Sequence, residues 1–482
     1  MPNTELHALA IQELGPLLRS KTLSPVEVTE HYLERIDALD QHTNAYITVM
    51  TEEALTDARA CEEEIMAGEY RGPLHGVPIA LKDLYDTAGV RTTAASKIYA
   101  DRVPDKDATS VMFLRAAGAV IIGKTNMHEF AYGVTSASSC FGPARNPWDL
   151  SRMTGGSSGG SGAAVAAGLC VAATGSDTGG SIRIPGALCG IVGLKPTYGR
   201  ISCAGLIPLS WALDHPGPMT KCVHDAAVML GAMAGWDPND PATLNAPVPD
   251  YTLTLRESVE GLRIAVDAEY AFSQVDDDVE AAVKQALSVL QDLGAELIEV
   301  TMPRMADAMD AALTILSAEA TAYHEEFLKT RPEDYQPDVR TRLEKGFSVR
   351  GIDYGRAQRI RQRVYRDFEV LFEEVDLFAT PMCAIPAPEL GQTEVSVAGQ
   401  TVPVMGPITR FTRVFNLAGL PAITVPCGFS SDGLPIGLQL AGAHLDEATV
   451  LRAAFAYEKA TNWHTRRPSP LLKGEGQPAG DV

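Results

Sequence analysis

Apolar positions recur at helical spacing from the start of the chain. Ser24-Pro25-Val26-Glu27 reads as a capping box with proline in the first helical position, and Val28, Tyr32, Ile36 and Leu39 then share one face. This predicts an amphipathic helix without chemistry of its own. From about Arg71 the pattern changes to short unbroken apolar runs, "GVPIAL" and "GAVIIG", set among Gly, Pro and Ser. Such runs predict strands buried on both faces and ending in loops, a character that lasts to about Val223. "NPWDLSRMT" reads as a loop by composition.

Between residues 240 and 378, amphipathic helices alternate with polar loops. In one of them Val279, Val283, Leu287 and Leu290 line a face, Gly294 closes it and "AELIEV" follows as a strand. This middle region is expected to be helix-rich and peripheral. "VDLFATPMCAIPAP" and "NLAGLPAITVPCGF" restore strand character, so the late chain is expected to rejoin the early sheet. The sum is an α/β fold in one domain over 1–470. Its parts are a helical segment (1–70), a core (71–225), a peripheral region (240–370) and returning strands (375–445), with a disordered tail at 471–482. No internal repeat is visible.

Composition narrows the functional classes. The 482 residues are 45% hydrophobic and 21% charged, enough for a large core. A net charge of −21 repels polyanions, which argues against nucleic acid and anionic membranes as partners. The eight cysteines include no C-x-x-C pair and read as reduced thiols of a cytoplasmic protein with no metal. "MPNTELHALAIQEL" lacks the basic start and apolar run of a signal peptide. Met153 to Ser176 contains no charge, but its continuous apolar part, Ala163 to Ala173, is only about half of a membrane-spanning length. A buried core helix is the expectation there.

Three features carry candidate chemistry. "TGGSSGGSG", Thr154 to Gly162, formally contains the G-x-S-x-G elbow of α/β-hydrolases, with Ser158 as nucleophile, although no strand is expected before it. The same glycines precede an apolar helical run and could aim N–H groups at an anion, but no phosphate-loop motif accompanies them. Lys82 follows six residues without a charged side chain, at the end of a buried strand. Desolvation there disfavours its charged form and suits it to act as a base.

With "KD" at Lys82-Asp83, "NMHEFAYG" at Asn126 to Gly133, "GGSSGGSG" at Gly155 to Gly162 and "GSDTGGSIRIPGALCGIVGLKPTYGR" at Gly175 to Arg200, the chain resembles the amidase signature enzymes. The likeness is strong over residues 72–223 and looser over 375–443. It implies a mixed, twisted central sheet flanked on both faces by helices, and a Ser–cis-Ser–Lys triad. Ser181 would be the nucleophile, Ser157 the bridging serine after a cis peptide from Gly156, and Lys82 the base. The N–H groups of Thr178, Gly179, Gly180 and Ser181 would form the oxyanion hole, because glycine lets consecutive N–H groups turn inward. Asp177 and Arg183 are assigned to holding that loop, not to proton transfer. Neither metal nor organic cofactor is implied.

His75, His128 and His215 lie within the signature region, but the relay requires none of them. His128, Tyr132, Thr135, Ser136 and Trp211 are the candidates for a substrate pocket. The expected activity is hydrolysis of a carbon–nitrogen bond in a small neutral amide, with esters and carbamates allowed, by a chain whose partner is that small molecule and for which a homodimer is allowed. Two alternatives stay open: the glutamine-hydrolysing subunit of a tRNA-dependent amidotransferase, and an elbow hydrolase using Ser158. Glutamine needs an acid for its ammonium, and the stretch "ITRFTRVF" before "NLAGLP" has Thr409 where the resemblance places one.

Overall fold

The computed structural model describes residues 3–255 and 258–468; the expected tail at 471–482 lies outside them. An eleven-stranded mixed sheet runs through the molecule, flanked by helices. From one edge its strands are Tyr46–Val49, Val120–Thr125, Pro78–Lys82, Ala172–Ser176, Pro216–Thr220 and Val192–Lys195. Ala422–Phe429, Pro435–Gly442, Leu377–Pro381, Arg263–Val266 and Glu296–Glu299 complete it. The late chain joins the early chain where Ala422–Phe429 pairs antiparallel with Val192–Lys195. The middle region is not only helical, since it supplies the last two strands as a parallel pair at the far edge.

Local physics explains the elements around the site. Ser24 Oγ accepts from the N–H groups of Val26 and Glu27, Glu27 accepts from the Ser24 N–H, and the helix Pro25–Thr43 buries Val28, Tyr32, Ile36 and Leu39. Strand Pro78–Lys82 is buried throughout and lies parallel between Val120–Thr125 and Ala172–Ser176. Lys82 and Ser176 therefore emerge side by side at the carboxyl ends of parallel strands. Such ends are where open α/β sheets place their ligands.

Two local expectations are corrected. The run Ala163 to Ala173 is not one helix: helix Gly159–Ala166 ends before Gly168, whose φ of +66° turns the chain, and strand Ala172–Ser176 follows. The early stop lets the second half of the run enter the sheet. "NPWDLSRMT" is not a plain loop, because Arg145–Asn146 and Asp149–Met153 pair as a short hairpin outside the large sheet. Among the described residues no helix is long and apolar enough to cross a membrane.

Candidate active site

Lys82 Nζ lies 2.7 Å from Ser157 Oγ, 2.8 Å from Ser176 Oγ and 3.5 Å from the Ser176 carbonyl oxygen. A neutral amine has two N–H donors and one lone pair, so three neighbours saturate it when Ser157 donates and Ser176 accepts. Burial pushes the Lys82 ammonium down to about 7, against the smaller pull of Asp214 and Asp177. The Gly156–Ser157 peptide is cis. Ser136 Oγ donates to the Ser157 carbonyl at 3.2 Å and accepts from the Gly159 N–H at 3.1 Å, which fixes the loop carrying Ser157. Ser136 therefore supports this loop, and it is not among the residues that line the cavity.

Ser181 lines a cavity of about 450 Å³ together with Thr178 and Gly179. Among the described residues no hydrogen bond joins its hydroxyl to Ser157, and the two serine loops are linked through the Ser158 N–H donating to the Ser181 carbonyl at 3.2 Å. Catalytic hydrogen bonds commonly tighten only when substrate is present. Ser158 does not face the cavity. Its hydroxyl is fully buried and engaged with the Ser176 N–H and carbonyl, both at 3.3 Å.

Asp177 organises the loop in front of Ser181. Its carboxylate accepts from the N–H of Gly180 at 2.7 Å and of Ile182 at 3.2 Å, from the Arg183 guanidinium at 3.0 Å and from Asn416 Nδ2 at 2.8 Å. Burial alone would raise this carboxyl, but the Arg183 charge and hydrogen bonds outweigh it and hold the group well below the usual carboxylate range. Arg183 is itself fully buried and also donates to Gln439, Asn416 and the Thr412 carbonyl. The four-donor oxyanion hole needs a correction here. Gly180 N–H is turned toward Asp177, which leaves, among the described residues, the N–H groups of Thr178, Gly179 and Ser181 without a protein acceptor. Glycine is required at 180: its φ is +117° and a Cβ would stand 2.7–2.8 Å from Ile184 and Thr412.

Of the four remaining pocket candidates, the structure places only Tyr132 on the cavity wall. His128 is 1% exposed, with Nε2 3.2 Å from Asp338 and Nδ1 3.4 Å from Thr135 Oγ1, so both side chains serve the wall from behind. Burial lowers the His128 imidazole in spite of Asp338. Its ring also fills the space beside Gly133, where a Cβ would lie 2.2 Å away. Trp211 is 54% exposed, because Glu319 accepts from Ser210 Oγ and the Ala212 N–H and pins the loop so that the indole stays on the surface.

Sequence reasoning passed over Ser176, Asp214 and Arg413. Asp214 accepts from Thr178 Oγ1 at 2.6 Å and from the N–H groups of Leu209 and Ser210, and burial raises its carboxyl to about 6. Ser176 becomes a neighbour of Lys82 only through the strand order, which no local pattern reveals. Arg413 carried a visible signal, a cation three residues before the "NLAGLP" motif.

The model of the Amidase family matches residues 27–451. An amidase of Pseudomonas putida is 45% identical, with 98% of this chain and all of that protein covered. A glutamyl-tRNA(Gln) amidotransferase subunit of Moorella thermoacetica is 44% identical, over 96% of this chain and 99% of that one. Among solved structures, a bacterial aryl acylamidase of the amidase signature family superposes with a TM-score of 0.88 at 27% identity, covering 96% of this chain and 99% of its own.

Proposed function

This chain belongs to the amidase signature family and is an amidohydrolase, and from that premise we propose that it cleaves a small amide unaided, through an acyl-enzyme on Ser181. The observation that carries this reading is the buried contact of 2.7 Å between Ser157 and a Lys82 whose ammonium is pushed down to about 7. Such a lysine has a substantial neutral fraction near neutral pH and can take a proton.

In the proposed cycle Ser181 Oγ attacks the amide carbonyl as its proton passes to Ser157 and the Ser157 proton passes to Lys82. The oxyanion is met by the N–H groups of Thr178, Gly179 and Ser181; one such donor is worth about 3 kcal/mol. The proton then returns through Ser157 to the leaving nitrogen, and the C–N bond breaks. Water repeats the relay and frees the acid. Asp177 and Arg183 act by position: they hold the loop and do not exchange protons. The same chemistry admits esters and carbamates. No step calls for a metal or an organic cofactor.

Relatives named for an amidotransferase favour a second reading, glutamine hydrolysis within a complex. Against it, among the described residues the cavity wall holds no carboxylate for an ammonium, and Thr409 and Arg413 stand on the wall instead. Purified protein assayed against aliphatic amides, aryl amides, carbamates and glutamine separates the two. Hydrolysis of a non-glutamine amide by the lone chain is expected. Glutaminase activity that depends on tRNA and on a partner protein would reverse the choice.

A further inference from the structure

In a protein of net charge −21, the wall of the catalytic cavity carries, among the described residues, three cations, Arg342, Lys345 and Arg413, and no acid. Two of the three are accounted for. Arg342 is paired with Asp338 at 2.8 Å and donates to the Tyr132 carbonyl at 2.6 Å, and Lys345 is exposed at the end of helix Pro337–Lys345. Arg413 is different. Its Nη1 donates to Thr409 Oγ1 at 3.1 Å, its Nε is shielded from solvent without an acceptor, and among the described residues no carboxylate pairs with it and no aromatic ring lies under it. Its stem packs on the oxyanion loop, with Cγ and Nε 3.3 and 3.4 Å from the position a Cβ would take on Gly179.

A partly buried guanidinium whose Nε is shut off from solvent without an acceptor is costly unless something anionic completes it. Its planar fork suits a carboxylate. We propose that Arg413 binds a carboxylate on the substrate, so that the chain cleaves short amides bearing an anionic group close to the scissile carbonyl. The closeness follows from Gly179, which belongs to the loop proposed to receive the oxyanion and is covered by the Arg413 stem. This inference rests on the amidase reading above and replaces the neutral substrate expected from the sequence with an anionic one. Thr409 in place of an acid explains why no ammonium is accommodated; Arg413 explains what is. Glutaramate, which is glutamine without its amino group, therefore fits where glutamine does not.

The test compares kcat/KM for glutaramate, for valeramide as its uncharged counterpart, and for glutamine. Glutaramate is expected to exceed valeramide by roughly 10- to 100-fold, the range for a charge-assisted hydrogen bond, and to exceed glutamine as well. Arg413→Gln should collapse the glutaramate-to-valeramide ratio toward one, mainly through KM, while Arg413→Lys keeps part of it. A wild-type ratio near one, or a ratio that survives Arg413→Gln, overturns the proposal. Calorimetry of glutarate binding to the Ser181→Ala protein reads the anion site without turnover. Glutarate binding that Arg413→Gln or Arg413→Lys weakens, in a protein that cleaves no amide, would uphold the site and reject the amidase reading. Valeramide cleavage without glutarate binding would do the reverse.

Discussion

Replacing Lys82 by methionine removes the one buried ammonium that the proposed relay needs neutral. In the folded chain its value falls from an ordinary 10.5 to about 7, with burial as the main cause. The unfolded lysine keeps the ordinary value, so the unfolded state binds more protons between those limits and stability rises with pH across that window. Below about pH 7 the whole cost is present, about 5 kcal/mol at pH 6. By pH 9 the folded lysine has long been neutral while the unfolded one still holds its proton, and the cost is about 2 kcal/mol. Methionine also strands the hydroxyls of Ser157 and Ser176, but that penalty does not titrate. Urea unfolding of both proteins at pH 6 and pH 9 reports mainly on the lysine, because groups that its charge does not reach titrate alike in the two. The stability of the wild type relative to Lys82→Met should improve by about 2–3 kcal/mol from pH 6 to pH 9. An unchanged difference would mean that Lys82 has an ordinary affinity for protons in the fold, and the neutral-base argument would fail with it.

Further outcomes follow from the same geometry. The kcat/KM of the wild type should fall about tenfold per pH unit well below pH 7 as Lys82 gains its proton, measured with any amide the enzyme accepts; a flat acid limb would speak against the relay. Asp177→Asn leaves the Arg183 charge buried without its counter-charge and should destabilise the fold by about 3–5 kcal/mol in a chemical unfolding series. Gly133→Ala drives a methyl group to 2.2 Å from the His128 ring. It should cost about 1–3 kcal/mol or more and disturb Tyr132 on the cavity wall, visible as a lower melting temperature and a raised KM.

How far the sequence foretold this site depends on the range of the interaction. The Ser24 cap and the strand ending at Lys82 follow from patterns a few residues long, and the structure shows both. The run Ala163 to Ala173 misleads because small apolar residues suit a buried helix and a buried strand equally, and only the turn at Gly168 divides them. The Gly180 N–H was expected to face the substrate, and the competing acceptor, Asp177, sits three residues away in a geometry fixed by Arg183 and Asn416. Contacts such as Lys82 with Ser176, or Arg413 with Gly179, join segments that only the tertiary fold brings together. The exposed Trp211 shows the converse: a large aromatic within a signature region need not face the site.

The most direct measurement is the site of covalent capture. Purified protein is treated with a serine-reactive phosphonate, digested and mapped by mass spectrometry, with Ser181→Ala and Ser158→Ala carried in parallel. An adduct is expected on the peptide containing Ser181, absent from Ser181→Ala and retained in Ser158→Ala, whose replaced hydroxyl is buried away from the cavity. An adduct on Ser158, or labelling that survives Ser181→Ala, would contradict Ser181 as the nucleophile.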